Sequence, residues 1–115
     1  MPALRTEPLA RVSRIRGVRG VILTTLGDAI PIQSLTHVDV DVDALAAFAT
    51  SMFRRARQTS RGAGFGAARV LTLDATDARI VAAARDDLLL VALADRATPP
   101  GMLRMSLLRA LEEIA

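Results

Sequence analysis

Cysteine, lysine, tryptophan and tyrosine are absent from this chain of 115 residues, and its only aromatic side chains are three phenylalanines. Without cysteine there is neither a disulfide framework nor a thiolate metal site. Without tryptophan or tyrosine there is little to stack nucleic-acid bases on, and the core has to be aliphatic. All fifteen basic residues are arginine. Nothing therefore titrates between neutrality and the arginine range, and the sequence pI near 11.2 reflects missing groups, not a dense basic surface. The formal net charge is only +3, and the arginines are scattered, so no nucleic-acid partner is expected. The longest apolar run, Leu88 to Ala94, is far short of a membrane span. Arg5 and Glu7 stand near the start with no apolar core of signal-peptide length behind them. The expectation is a cytoplasmic protein without membrane insertion.

What is present is aliphatic. Half of the residues are hydrophobic (51%), mostly Leu, Ile, Val and a great deal of Ala. This length makes one domain, assigned to 8–115, with 1–7 as a flexible N-terminus. An alanine-rich core is thin, so its elements pack closely and gain from a partner surface.

Thr6 can cap a first helix with Pro8 in its opening turn. Leu9, Val12 and Ile15 follow at helical spacing, and Gly17 ends the helix. Val21 to Thr25 reads as a strand, Leu26-Gly27-Asp28 as a turn with glycine supplying positive φ, and Ala29 to Ile32 as the returning strand. Thr36 to Asp43 is a polar connection. From Ala44 to Gln58 the period is helical: Leu45, Phe48, Ala49, Met52, Phe53 and Ala56 form one stripe, and Ala46, Ala47, Thr50 and Ser51 a small-residue face. Thr59 to Gly66 is a glycine-rich loop. Val70 to Asp74, Arg79 to Arg85 and Leu88 to Ala94 are strands, the last apolar on both faces and so central. Thr98-Pro99-Pro100-Gly101 opens a final helix, with Leu103, Leu107, Ala110, Leu111 and Ile114 buried. The predicted fold is α/β, of the α+β kind, in the order α-β-β-α-β-β-β-α. Its five-stranded antiparallel sheet has the terminal helices on one face and the middle helix on the other. One helix covers its face incompletely, which is the physical case for dimerisation.

Most motifs that invite a chemical reading fail on inspection. Gly62-Ala63-Gly64-Phe65-Gly66 lacks the Lys-Ser/Thr ending of a phosphate loop and leads into a strand, not a helix. Asp39, Asp41 and Asp43 alternate like calcium ligands, but Ala44 and Thr50 stand where that loop needs glycine and glutamate. Asp41 or Asp43 is better used as a helix cap. His37, the single histidine, has no partner for a catalytic triad. Asp86-Asp87 reads as a turn, not an acid–base pair. No catalytic residue, metal site or cofactor is therefore expected.

Several segments carry a family likeness. Gly17-Val18-Arg19-Gly20-Val21 leading into the first strand and Leu26-Gly27-Asp28-Ala29-Ile30-Pro31 at the hairpin resemble the Roadblock/dynein light chain (LC7) family. So do Leu45-Ala46-Ala47 in the middle helix, Arg79-Ile80-Val81, and Leu88-Leu89-Leu90-Val91. The likeness covers about residues 8 to 114, within a sandwich related to longin and profilin. It implies a homodimer, or a heterodimer with a Roadblock paralogue, joined through the edge strand after the glycine-rich loop and through the middle helices. The implied interface is Ala46, Ala47, Thr50, Ser51, Arg54, Arg69, Val70, Leu71, Thr72 and Leu73. It also implies a small Ras-like GTPase as partner, or alternatively an adaptor role in a larger assembly without a GTPase. The alanine and arginine bias points to the prokaryotic branch. Arg54, Arg55, Arg57 and Arg61 are then the candidate partner contacts. The cluster reads either as a solvated helix end or as a contact to an acidic partner, one version of which is an arginine finger; a regulator can also act by ordering the partner's switch loops, with no catalytic group of its own.

Overall fold

The computed structural model describes residues 6–114; the expected loose segment Met1–Leu4 lies outside them. The elements are α1 (Glu7–Ser13), β1 (Val18–Thr25), β2 (Pro31–Thr36), α2 (Val42–Gly62), β3 (Val70–Asp74), β4 (Arg79–Arg85), β5 (Leu88–Ala94) and α3 (Pro100–Ile114). They occur in the order expected. The strands form one sheet in the spatial order β2-β1-β5-β4-β3, every neighbouring pair antiparallel.

Side-chain alternation sends the two faces of this sheet to two separate cores. In β4 and β5, Val81, Ala83, Leu90, Ala92 and Ala94 point to one side, where they meet Leu9 and Val12 of α1 and Leu103, Leu107 and Leu111 of α3. Ile80, Ala82, Ala84, Leu89 and Val91 point to the other, where Ala49 and Phe53 of α2 cover them. The terminal helices thus share one face and the middle helix takes the other. α1 lies over β1 and β2, and α3 over β4 and β5. α2 lies over β1, β2 and β5. No helix among the described residues is long and apolar enough to cross a membrane.

The boundaries moved at the turns. The first helix ends at Ser13, before Gly17, and Thr6 occupies its N-cap position without a side-chain hydrogen bond. The second strand starts at Pro31, because the hairpin turn is longer than its glycine implies. Positive φ falls on Ala29 (57°), not on Gly27. The turn is held from outside instead: the Leu26 amide donates to the Asp87 carbonyl at 2.9 Å, tying it to the β4–β5 turn. The middle helix is longer than Ala44–Gln58. Asp41 caps its start, accepting from the Ala44 amide at 3.0 Å, and it continues to Gly62 before Gly64 and Gly66 take positive φ. The Ser60 hydroxyl donates to the Gly66 carbonyl at 2.7 Å and folds the loop back onto the helix end.

Gly17 is where the α1 side closes against the start of α3. Its φ is +93°, and a Cβ there would run into the Thr98 hydroxyl. Its carbonyl also accepts from the Asp95 amide at 2.8 Å. Gly17→Ala therefore meets both backbone strain and a steric clash, and should cost about 2 kcal/mol in urea unfolding. Gly62→Ala, which meets open space, should cost nothing.

Candidate functional site

The surface that sets this molecule apart is the outer side of α2 with the sheet edge beside it. α2 buries Ala46, Ala49, Thr50 and Phe53, an i, i+3, i+4, i+7 wedge. The expected stripe holds at Ala49 and Phe53, with Leu45, Met52 and Ala56 half-buried, and fails at Phe48, so the buried face is turned from it toward Ala46 and Thr50. Two assignments are corrected by this. Ala46 (0% exposed) and Thr50 (1%) are sealed against the sheet within the subunit and do not belong to an open small-residue face. Small side chains under the helix let it lie close to the sheet, and the bulky Phe48 is turned outward, 46% exposed. Ala44, Ala47, Ser51, Arg54, Arg55 and Gln58 stand exposed on that outer side. Of the three phenylalanines only Phe53 is in the core; Phe65, in the loop after α2, is 84% exposed. Helical periodicity assigns neither of these outward aromatics to the surface. The signal that could have found Phe48 is its i, i+4 spacing to Ala44, opposite the Ala46–Phe53 wedge.

The edge strand β3 lies two strands beyond β5 in the sheet, on the part α2 leaves uncovered. It pairs only with β4, so one row of its backbone groups is unpaired by the sheet. Leu71 and Leu73 share the α2 side of the sheet with Ala82 and Ile80, their β4 partners, and stay half-buried. Val70 packs against the opposite core, and Arg69 and Thr72 are exposed.

The arginines separate. Arg54, Arg57 and Arg61 line one shallow depression of about 470 Å³ with Gln58, Leu26, Gly27 and Asp87, whereas Arg55 does not line it. Arg57 is half-buried, its guanidinium 5.6 Å from the Phe53 ring centroid, which supports it by cation–π contact. The ion pairs among the described residues all lie elsewhere: Arg11–Glu113, Arg14–Glu7, Arg19–Asp95 and Arg79–Asp74.

The remaining candidates take structural roles. The His37 ring Nε2 donates to the Ser13 carbonyl at 2.7 Å, fastening the end of β2 to the end of α1. Asp41 is the α2 cap. Asp86 takes φ +54° in the turn between β4 and β5. No group of three His, Cys, Asp or Glu residues that could hold a metal occurs among the described residues. An apolar groove of about 450 Å³ lies on the far side between α1 and α3, lined by Val12, Ile15, Met102, Met105 and Ala110 among others.

The molecule is a three-layered sandwich, with α1 and α3 on one face of the sheet and α2 on the other, that leaves an edge strand open and one side of a helix outward. No family model and no curated protein matches the sequence. Solved structures do match. A Roadblock/LC7 domain from Streptomyces avermitilis superposes with a TM-score of 0.83 at 16% identity, over 96% of this chain and 93% of that one. The gliding protein MglB from Thermus thermophilus gives 0.84 at 18%, over 100% and 95%. An MglB described in a tetrameric arrangement gives 0.85 at 18%, over 100% and 94%. The chain has the Roadblock/LC7 fold.

One ion pair anchors the end of the edge strand. The Arg79 guanidinium donates to the Asp74 carboxylate at 2.5 Å and to the Thr98 carbonyl at 2.6 Å. The hydrogen bond from Arg79 holds the Asp74 carboxyl below its ordinary value. A lowered carboxylate stabilises the fold above the unfolded aspartate range, and that contribution is lost as pH falls through the lowered value. Asp74→Asn should therefore be slightly less stable than wild type at neutral pH. The two urea midpoints should converge under acid conditions, below both values.

Proposed function

We propose that this chain is a dimeric, non-catalytic regulator or scaffold that binds a small Ras-like GTPase in prokaryotic signalling, polarity or motility, in the cytoplasm. The observation that carries this reading is the open β3 edge on the sheet face that α2 covers incompletely, together with the exposed outer side of α2. An unpaired strand edge and an unaccompanied helix face are together what a second subunit can complete. The partner copy is this chain or a Roadblock paralogue. The self-interface then uses Ala47, Ser51 and Arg54 of α2 with Arg69, Val70, Leu71, Thr72 and Leu73 along β3, while Ala46 and Thr50 support it from beneath.

The GTPase contact falls to Arg54, Arg57 and Arg61 around their shared depression, with Arg55 on its flank. Four cations and an exposed Phe65 suit an acidic protein surface with an apolar pocket. The proposed mechanism is surface complementarity. Binding to one arrangement of the switch loops raises its population by the difference in affinity between the two states. The fold's kinship with MglB structures and the resemblance of residues 8 to 114 to the Roadblock family support the GTPase assignment. The second reading, an adaptor in an assembly without a GTPase, is favoured by the Met102–Met105 groove on the far face, since exposed methionines adapt to varied partners.

Ala47→Arg places a bulky charge at the close-packed centre of the α2 face. In light scattering it should convert a dimer into a folded monomer at micromolar concentration; a persisting dimer would reject the interface. For the partner, GTP turnover by a Ras-like protein encoded nearby is measured with and without this chain. A stable complex preferring one nucleotide state is expected. Absence of any complex and any rate change would favour the adaptor.

A further inference from the structure

The sheet has a second open edge. β2 pairs with β1 and with no other strand. The His37 amide donates to the Arg19 carbonyl at 2.8 Å, and Val21↔Leu35 and Leu23↔Gln33 stand at the same phase of that antiparallel ladder. Gln33 and Leu35 therefore turn their backbone groups to β1, while Ser34 and Thr36 turn theirs outward. Native edges are blunted by charge, proline or a bulge. Pro31 and the register shift between Leu23 and Thr24 blunt only the hairpin end. Beyond them β2 bears no charged side chain, and Ser34, Leu35 and Thr36 are exposed. Ile30, Ile32, Leu35 and Val38, on or next to the strand, are large apolar residues left in solvent, Ile30 at 62% exposure.

Two further observations describe what this edge fits. A socket of about 190 Å³ opens beside the outward row, walled by Thr6, Leu9, Gln33, Ser34 and Leu35, and the fully buried Leu9 gives it an apolar floor. The charge around the strand has one sign. Residues 26–43 hold Asp28, Asp39, Asp41 and Asp43 and no arginine, and none of these acids takes part in an ion pair among the described residues. Arg11, Arg14 and Arg19, on or beside the elements that touch β2, are already paired with Glu113, Glu7 and Asp95. The arginines of α2 gather around Leu26 and Gly27, at the opposite end of β2 from Asp39. We propose that β2 receives an extended segment of another protein. That strand pairs with Ser34 and Thr36, seats an aliphatic side chain in the socket and carries lysine or arginine where it meets Asp39. The occupant is a strand because a helix spends its backbone groups on itself, whereas an added strand satisfies the outward N–H and C=O together. A second β2 is the wrong occupant, since it brings the same acids and no cation to the pairing. The inference rests on neither the dimer nor the GTPase reading: β2 and β3 are opposite edges of the sheet.

The probe is a fluorescent synthetic peptide of about eight residues, leucine alternating with threonine between terminal arginines, set against a twin with terminal glutamates. In anisotropy titrations the full chain should bind the arginine peptide at least about tenfold more tightly than its twin. Ser34→Pro removes the outward N–H and spares the bonds to β1; it should keep its far-UV dichroism and lose the peptide by at least about tenfold. Ser34→Ala keeps the N–H and should bind like wild type. Asp39→Arg should reverse the preference between the two peptides, a result that does not depend on how Ser34→Pro folds. In hydrogen exchange the Ser34 and Thr36 amides should be faster than that of Leu35 in the free chain and should slow when the arginine peptide is bound. Equal affinity for both peptides, no binding of either, or a folded Ser34→Pro chain that binds like wild type overturns the inference. A Ser34→Pro chain that sediments as a smaller assembly than wild type shows that a second copy closes this edge, and overturns it as well.

Discussion

Coverage of the sheet is the constraint from which the rest follows. Five strands at about 4.8 Å spacing make a surface roughly 20 Å wide, and a helix with its side chains is about 10 Å across. Two helices close one face, and α1 and α3 do so. One helix closes about half of the other. α2 spends itself over β1, β2 and β5, and the sheet runs out beyond it at β3, where Leu71 and Leu73 remain half-covered. Ala46, Ala49 and Thr50 beneath α2 are too small to reach across that gap.

The chemistry of the two sides matches this division. On the closed side, ion pairs and backbone bonds tie the ends of elements together: Arg19 reaches Asp95 and the Asp77 carbonyl, Arg79 reaches Asp74 and the Thr98 carbonyl, and His37 reaches Ser13. On the open side the charged residues of α2 take part in no ion pair among the described residues, and two of the three aromatics face outward. Charge, shape and exposed ring area are what that side presents.

The strands were legible because their β-rich apolar runs are short and bounded by turn residues. β4 and β5 are apolar on both faces, which places them inside the sheet with a core on either side. The element order and the division of the helices followed from that. The orientation of α2 was not legible. Its apolar residues, Leu45, Ala46, Ala47, Phe48, Ala49 and Met52, run most of the way around the helix, so periodicity alone admits more than one buried face. Alanine gains little from burial in any direction. The choice between Phe48 and Ala46 was made by how close the backbone could come to the sheet. Turn positions failed for a related reason: Gly27 marks the hairpin, but the positive φ landed on Ala29, because the Leu26–Asp87 bond across two turns fixed the path.

The amino-acid sequence by itself determined the order of elements, the aliphatic two-faced sheet and the lack of thiol chemistry, since these depend on residue type and local period. The tertiary structure alone decided which side of α2 looks outward and which arginines share a depression. Those depend on distances between segments far apart in the chain, and neither composition nor periodicity carries that information.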